Sequence, residues 1–157
     1  MKAIVQRVSR GRVTVDGLET GAIGPGYVVL LGVRNGDTET DAQFLAEKTA
    51  GLRVFPDDQD KMNLSIMDMG GSILVIPQFT LYADTRRGNR PSFVNAAAPV
   101  EAERLYEIYT GHLRRILGAD KLATGVFRAR MLVEILNEGP VTIELNSEGR
   151  SAGTPRL

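Results

Sequence analysis

The chain has 157 residues, enough for one domain with a real core. It carries 19 basic and 19 acidic residues, so it lacks the basic excess of a protein that coats nucleic acid, and contact with RNA would need a local patch and a shaped pocket. With no cysteine and a single histidine, His112, disulfides, thiol nucleophiles and imidazole- or thiolate-rich metal sites are excluded, and neither a metal nor a cofactor is expected.

No apolar run is long enough to span a bilayer, and the first residues lack the pattern of a signal peptide. No membrane contact and a cytoplasmic location are therefore expected. Residues 3–8 and 12–15 predict two short strands, with Ser9, Arg10 and Gly11 as the turn between them. Residues 21–26 predict a glycine-proline turn. The unbroken apolar run 27–33 predicts a central strand buried on both faces.

Thr38, with Asp41 three residues on, predicts the start of a first helix. Ala42, Leu45, Lys48, Thr49 and Leu52 follow at helical spacing, and Gly51 marks the end. Residues 72–81 predict another strand, which Pro77 marks as a strand end, bulge or edge. Pro99 suits the first turn of a second helix. Ala102, Leu105, Tyr106, Tyr109, Leu113, Ile116 and Leu117 form its apolar face, and Gly118 its terminus. Residues 131–136 and 141–145 predict two strands joined by a tight hairpin over Asn137, Glu138, Gly139 and Pro140. Residues 148–157 read as a poorly ordered tail, which leaves 1–147 as the domain. Strands outnumber helices without alternating with them. The expected fold is a single α+β domain, a curled barrel-like sheet with helices packed on one side.

Four places are weighed for chemistry. His112, within the second helix beside Arg114 and Arg115, reads as a surface residue rather than a catalytic base. Gln78, Phe79 and Thr80 interrupt an apolar run. Strand alternation would turn Gln78 and Thr80 to solvent and Phe79 to the core. The alternative is that this strand end lines a pocket and presents the Thr80 hydroxyl and nearby N–H groups to a ligand. Residues 84–93 hold Arg86, Arg87 and Arg90, whose forks match phosphate geometry, though a solvated loop has the same composition. Gly139 and Pro140 make either an ordinary turn or, with a cis bond, a rigid backbone device.

Five stretches in order resemble the D-aminoacyl-tRNA deacylase family: residues 3–8, 61–65, 78–85, 88–93 and 137–142. The resemblance runs from Met1 to about Ser147. It implies a homodimeric hydrolase of D-aminoacyl-tRNA, and of mischarged glycyl-tRNA, with active sites at the dimer interface. Gly139 and Pro140 of one subunit would enter the partner's pocket and exclude L-aminoacyl groups. Gln78, Phe79 and Thr80 would hold the 3′-terminal adenosine and the ester. Arg7 would fix the glycine-proline loop, and Met131 would line the adenine pocket.

This sequence departs from the family pattern at two places. Pro77 stands where the family carries serine, which removes a hydroxyl and an N–H from the pocket edge. Proline also occurs there in a related branch that edits L-alanyl-tRNA, but that branch has alanine where this chain has Phe79. The second departure is Arg128, where the family carries glycine. An aminoacyl ester is already activated, so positioning and charge stabilisation suffice for hydrolysis. The resemblance leaves two agents open, the 2′-hydroxyl of the terminal adenosine and a nucleophilic Thr80. A non-catalytic RNA-binding module is the rival from another class, and the neutral charge speaks against it.

Overall fold

The computed structural model describes residues 1–148. Its elements run β1 (Lys2–Val15), β2 (Leu18–Ile23), β3 (Gly26–Gly32), α1 (Glu39–Gly51), β4 (Arg53–Pro56), β5 (Met62–Ser65), β6 (Ser72–Pro77), α2 (Pro99–Leu117), β7 (Leu122–Thr124) and β8 (Met131–Asn146). Single turns of 3-10 helix lie at Phe79–Tyr82 and Ala119–Lys121. The α+β class and the curled sheet match the expectation. The tail residues 149–157 lie outside the described residues, and Glu148 pairs with Arg34 at 2.6 Å.

Six strands form one sheet in the order β2-β1-β3-β6-β7, with β8 paired to β1. β1 is the organiser. Its first half pairs with β3 and its second half with β2, while β8 follows it from end to end. The sheet curls far enough for β2 to approach β7. A side chain at Gly21 would place its Cβ 3.0 Å from the Thr124 carbonyl oxygen, so glycine permits the approach. Gly26 answers a tighter demand. It has φ +153°, and a Cβ there would fall 1.8 Å from the Ser72 carbonyl oxygen where β3 meets β6.

The central strands are buried on both faces, as the unbroken run 27–33 predicts. Tyr27, Val29 and Leu31 of β3 and Ile73 and Val75 of β6 pack toward Leu45 of α1 and Leu105 and Tyr109 of α2. Val28, Leu74 and Ile76 face the other way, into the curl, with Val8, Val13 and Ile23. Each fully buried leucine or isoleucine here contributes about 1.5–3 kcal/mol. The first helix starts at the predicted cap, where the Asp41 carboxylate accepts from the Thr38 backbone N–H (2.9 Å) and Oγ1 (2.7 Å). The second starts at Pro99 and is capped by Gly118 as expected, and the Thr49 and Tyr109 hydroxyls join the two helices at 2.8 Å in the core.

Three expectations need correction. Residues 2–15 are one strand, not two. Ser9, Arg10 and Gly11 continue it because β8 offers a partner on the far edge, and the irregularity appears only as register shifts. The turn expected over 21–26 shortens, since Gly21 and Ala22 pair with β1 inside β2. The hairpin over Asn137–Pro140 does not form. Residues 131–146 are a single strand running antiparallel to β1, and the segment is a bulge within it. Val8 pairs with Asn137 and Gln6 with Thr142, so two steps along β1 face five along β8. The surplus residues leave the ladder, and Glu138, Gly139 and Pro140 are exposed.

Candidate active site

The strand expected over 72–81 ends at Pro77, and here the structure overturns the alternation reading. Pro77 has no N–H, and it faces Leu31 at the end of the parallel β3–β6 ladder. The Gln78 N–H donates to the Leu31 carbonyl at 2.8 Å, and the chain then turns into the 3-10 helix. Phe79 therefore does not enter the core and is 56% exposed. A large ring left in solvent beside a cavity has a ligand-facing role open to it.

That cavity has a volume of about 700 Å³, within the range of roughly 300–1,000 Å³ usual for small-molecule sites. It lies beyond the carboxyl ends of β3 and β6 and is walled by four pieces of chain. Leu31 and Val33 come from the end of β3 and the residue just beyond it, and Ile76, Pro77, Gln78 and Phe79 from the end of β6 and the turn after it. Ala96, Ala97, Ala98, Pro99, Ala102 and Tyr106 come from the entry and face of α2. Phe127, Arg128 and Ala129 come from the β7–β8 connection, and Met131 and Val133 from the start of β8. Phe93 closes the mouth against Phe79, their rings edge to face at 4.9 Å and 66°.

Local chemistry holds these walls. The Tyr106 hydroxyl donates to the Val75 carbonyl at 2.8 Å, and burial pushes its pKa up, so it stays a neutral donor. Asp84 and Ser92 exchange main-chain bonds of 2.7 and 2.9 Å, which brings the loop back so that Phe93 reaches Phe79. Within that loop the Arg86 guanidinium holds the Asp84 carboxyl at a pKa of about 2, through bonds of 2.9 and 2.6 Å, aided by the Arg86 backbone N–H at 3.0 Å. Gln78 Nε2 donates to Thr80 Oγ1 at 2.5 Å. No group of three or more histidine, aspartate or glutamate side chains is placed to hold a metal ion among the described residues.

The predicted site residues thus fall into two groups. Pro77, Gln78, Phe79 and Met131 share the cavity, with Thr80 tied to Gln78 beside it. Arg7, Gly139 and Pro140 are not in its lining and form a second group. Arg7 Nε donates to the Glu138 carbonyl at 3.2 Å, Nη1 to the Val54 carbonyl at 2.6 Å, and Nη2 lies 3.7 Å from the Glu138 carboxylate. The Gly139–Pro140 bond is cis. His112, half-buried on α2, is not part of the cavity. Sequence reasoning did not single out the alanines 96–98 or Tyr106. Three small residues before a helix-opening proline do leave space, but the same pattern serves many loops.

A curled sheet carrying an apolar cavity with a few convergent polar groups defines a small-molecule or terminal-group site on an α+β scaffold. The profile of the D-Tyr-tRNA(Tyr) deacylase family matches residues 4–146, and the chain belongs to that family. It is 56% identical over 149 residues to the D-aminoacyl-tRNA deacylase of Heliobacterium modesticaldum, covering 95% of this chain and 98% of that one. Its identity to the Geobacter sulfurreducens D-aminoacyl-tRNA deacylase is 53% over 154 residues, covering 98% and 100%. Among solved structures it resembles a c-Myc DNA unwinding element binding protein (TM-score 0.88, 42% identity, 93% of this chain and 98% of that chain). A probable eukaryotic D-amino acid tRNA deacylase shares the fold (TM-score 0.78, 16% identity, 92% and 97%).

Proposed function

We propose that residues 1–147 act as one domain that hydrolyses the ester between a D-amino acid, or glycine, and the 3′-terminal adenosine of tRNA in the cytoplasm. Beyond family membership, one observation carries this reading: the Gln78–Thr80 pair sits beside an aromatic-rimmed cavity of the right size. The Phe79 ring offers a stacking face to a base, and the apolar wall running to Met131 suits the rest of the nucleoside. Phe79 and Thr80 open a helical turn, so their N–H groups have no acceptor inside it. Such donors stabilise the oxyanion that forms when the ester carbonyl is attacked.

Thr80 acts by positioning in this reading. A threonine nucleophile needs a base to take its proton. Its neighbour Gln78 is an amide, and neither amide atom is a base near neutral pH. The 2′-hydroxyl of the adenosine, adjacent to the ester, is left as the assisting group, with Thr80 orienting water or ester.

The chiral filter is assigned to a second copy of the chain. The bulge at Glu138–Pro140 is exposed and braced by Arg7, yet stands apart from the cavity of its own chain. In a homodimer it would close the partner's cavity, accepting the amino group and leaving no room for an L side chain. This is selection by exclusion.

The test is deacylation of tRNA charged with D-tyrosine, L-tyrosine, glycine or L-alanine, with the molar mass measured by light scattering. Release of D-tyrosine and glycine alone, by a dimer, is expected. Preferential release of L-alanine would move the chain to the related editing branch, to which Pro77 gives some support. An active monomer would overturn the cross-subunit filter.

A further inference from the structure

Arg128 combines three features that its neighbours do not share. It lies in the left-handed region, with φ +65°. It occupies the third position of a turn closed by the Ala129 N–H on the Val126 carbonyl at 3.2 Å, a position with positive φ that glycine usually fills. It is also the one charged residue among those lining the cavity described above.

The turn is firmly held. The Gly125 N–H donates to the Val75 carbonyl at 2.9 Å, and the Phe127 ring packs against Tyr106 with centroids 6.0 Å apart. The backbone at Arg128 is thus set by its surroundings, and a side chain with a strained main chain is retained at a ligand cavity. Its guanidinium has no ion pair or hydrogen bond among the described residues, and the residue is exposed. An unpaired planar fork of five donors beside an apolar cavity is suited to an anion brought by the ligand.

The chemistry of the proposed substrate says which anion. In an aminoacyl ester the carboxylate is consumed, and the amino group is a cation that a guanidinium repels. The phosphodiester of the nucleotide chain is then the anion common to every such substrate. We propose that Arg128 binds the phosphodiester immediately preceding the terminal nucleoside, and so sets affinity for a polynucleotide end over a free aminoacyl nucleoside. This rests on the reaction assigned above.

The experiment compares wild type, Arg128→Gly and Arg128→Lys on D-tyrosyl-tRNA and on D-tyrosyl-adenosine, which has no phosphate. The glycine variant removes the guanidinium and suits the turn, so folding is preserved. Its KM for the tRNA ester should rise at least fivefold more than its KM for the adenosine ester, with kcat little affected by comparison. The slope of log(kcat/KM) against log salt on the tRNA ester should become shallower by about 0.7, the value for one phosphate of a single strand no longer neutralised. The lysine variant should restore part of both. Anisotropy with a labelled single-stranded RNA ending in cytidine, cytidine and adenosine should show the same fivefold loss without any catalysis. Equal losses on both esters, or no loss on the tRNA ester, would overturn the phosphate contact. So would a loss seen only with D-aspartyl or D-glutamyl esters, which would make Arg128 a reader of acidic side chains. A wild type that cleaves neither ester but binds the RNA through Arg128 would sink the assigned reaction and leave the phosphate contact standing.

Discussion

Arg7 holds the main chain of Glu138 across the β1–β8 pair, its Nε donating to the carbonyl oxygen at 3.2 Å while Nη1 reaches the Val54 carbonyl at 2.6 Å. One rigid fork therefore ties the Gly139–Pro140 bulge to β1 and to the β4–β5 hairpin. Lysine, a single point charge on a flexible stem, cannot span both carbonyls. Arg7→Lys should lower kcat/KM on D-aminoacyl-tRNA by roughly tenfold or more, since bonds from a charged donor contribute about 1.5–3 kcal/mol. Steady-state kinetics on the purified variant checks this, and wild-type kinetics in Arg7→Lys would remove the bracing role.

Phe79 is 56% exposed, with Phe93 edge to face against it, so truncating it disturbs little of the fold. Phe79→Ala should change stability by about 0.5 kcal/mol or less. Its KM should nevertheless rise about tenfold or more, because base stacking on an aromatic ring contributes about 1–3 kcal/mol. A large fall in the melting temperature with an unchanged KM would assign the ring to the fold instead.

Thr80→Ala should reduce kcat without abolishing it. A 2′-deoxy terminal adenosine should be hydrolysed more slowly still by the wild type. Single-turnover assays on both substrates separate the two groups. Full activity on the deoxy substrate, together with an inert Thr80→Ala, would return the nucleophile to Thr80.

Asp84 carries a pH signature in the loop that presents Phe93. Its folded pKa, about 2, is depressed by the Arg86 hydrogen bonds from an ordinary value of about 3.9. For a depressed carboxyl, the linked stabilisation of the loop is complete above the ordinary value and is lost as pH falls through the folded one. Carboxyl carbon NMR should find the Asp84 midpoint near 2, and Arg86→Ala should move it upward. A wild-type midpoint near 4 would show that the pair does not persist in solution.

Thr49→Val should destabilise the chain through the helix pair. The Tyr109 hydroxyl is fully buried, and it would lose its 2.8 Å partner. An orphaned buried hydroxyl costs about 1–3 kcal/mol. At this chain length that lowers Tm by about 2–4 °C for each kcal/mol. Thermal melts of Thr49→Val, Tyr109→Phe and the double variant check it, and the double variant should lose less than the sum of the singles.

What was legible in the sequence was local or periodic. The Thr38–Asp41 cap and the Pro99 start are legible because a helix end is satisfied by residues within one turn. The run 27–33 announced a strand buried on both faces because an unbroken apolar stretch has no solvent side. Pro77 pointed to a strand end, bulge or edge because it lacks a donor, and the structure makes it the strand end. Phe79 could not be placed that way, since alternation says nothing once the strand has stopped.

The rest waited on tertiary structure. Ser9, Arg10 and Gly11, and Asn137 to Pro140, carry turn chemistry, and each lies inside a long strand instead. Backbone N–H and C=O groups accept whichever partners the fold brings, and here β1 and β8 supply one another on both sides of the bulge. The turn residues survive as register shifts and an exposed bulge. The cavity is likewise assembled from segments near residues 31, 77, 98 and 129. Arg128 shows the difference most sharply. Its letter marks a departure from the family's glycine, but its +65° backbone and its place on the cavity wall come only from the tertiary structure.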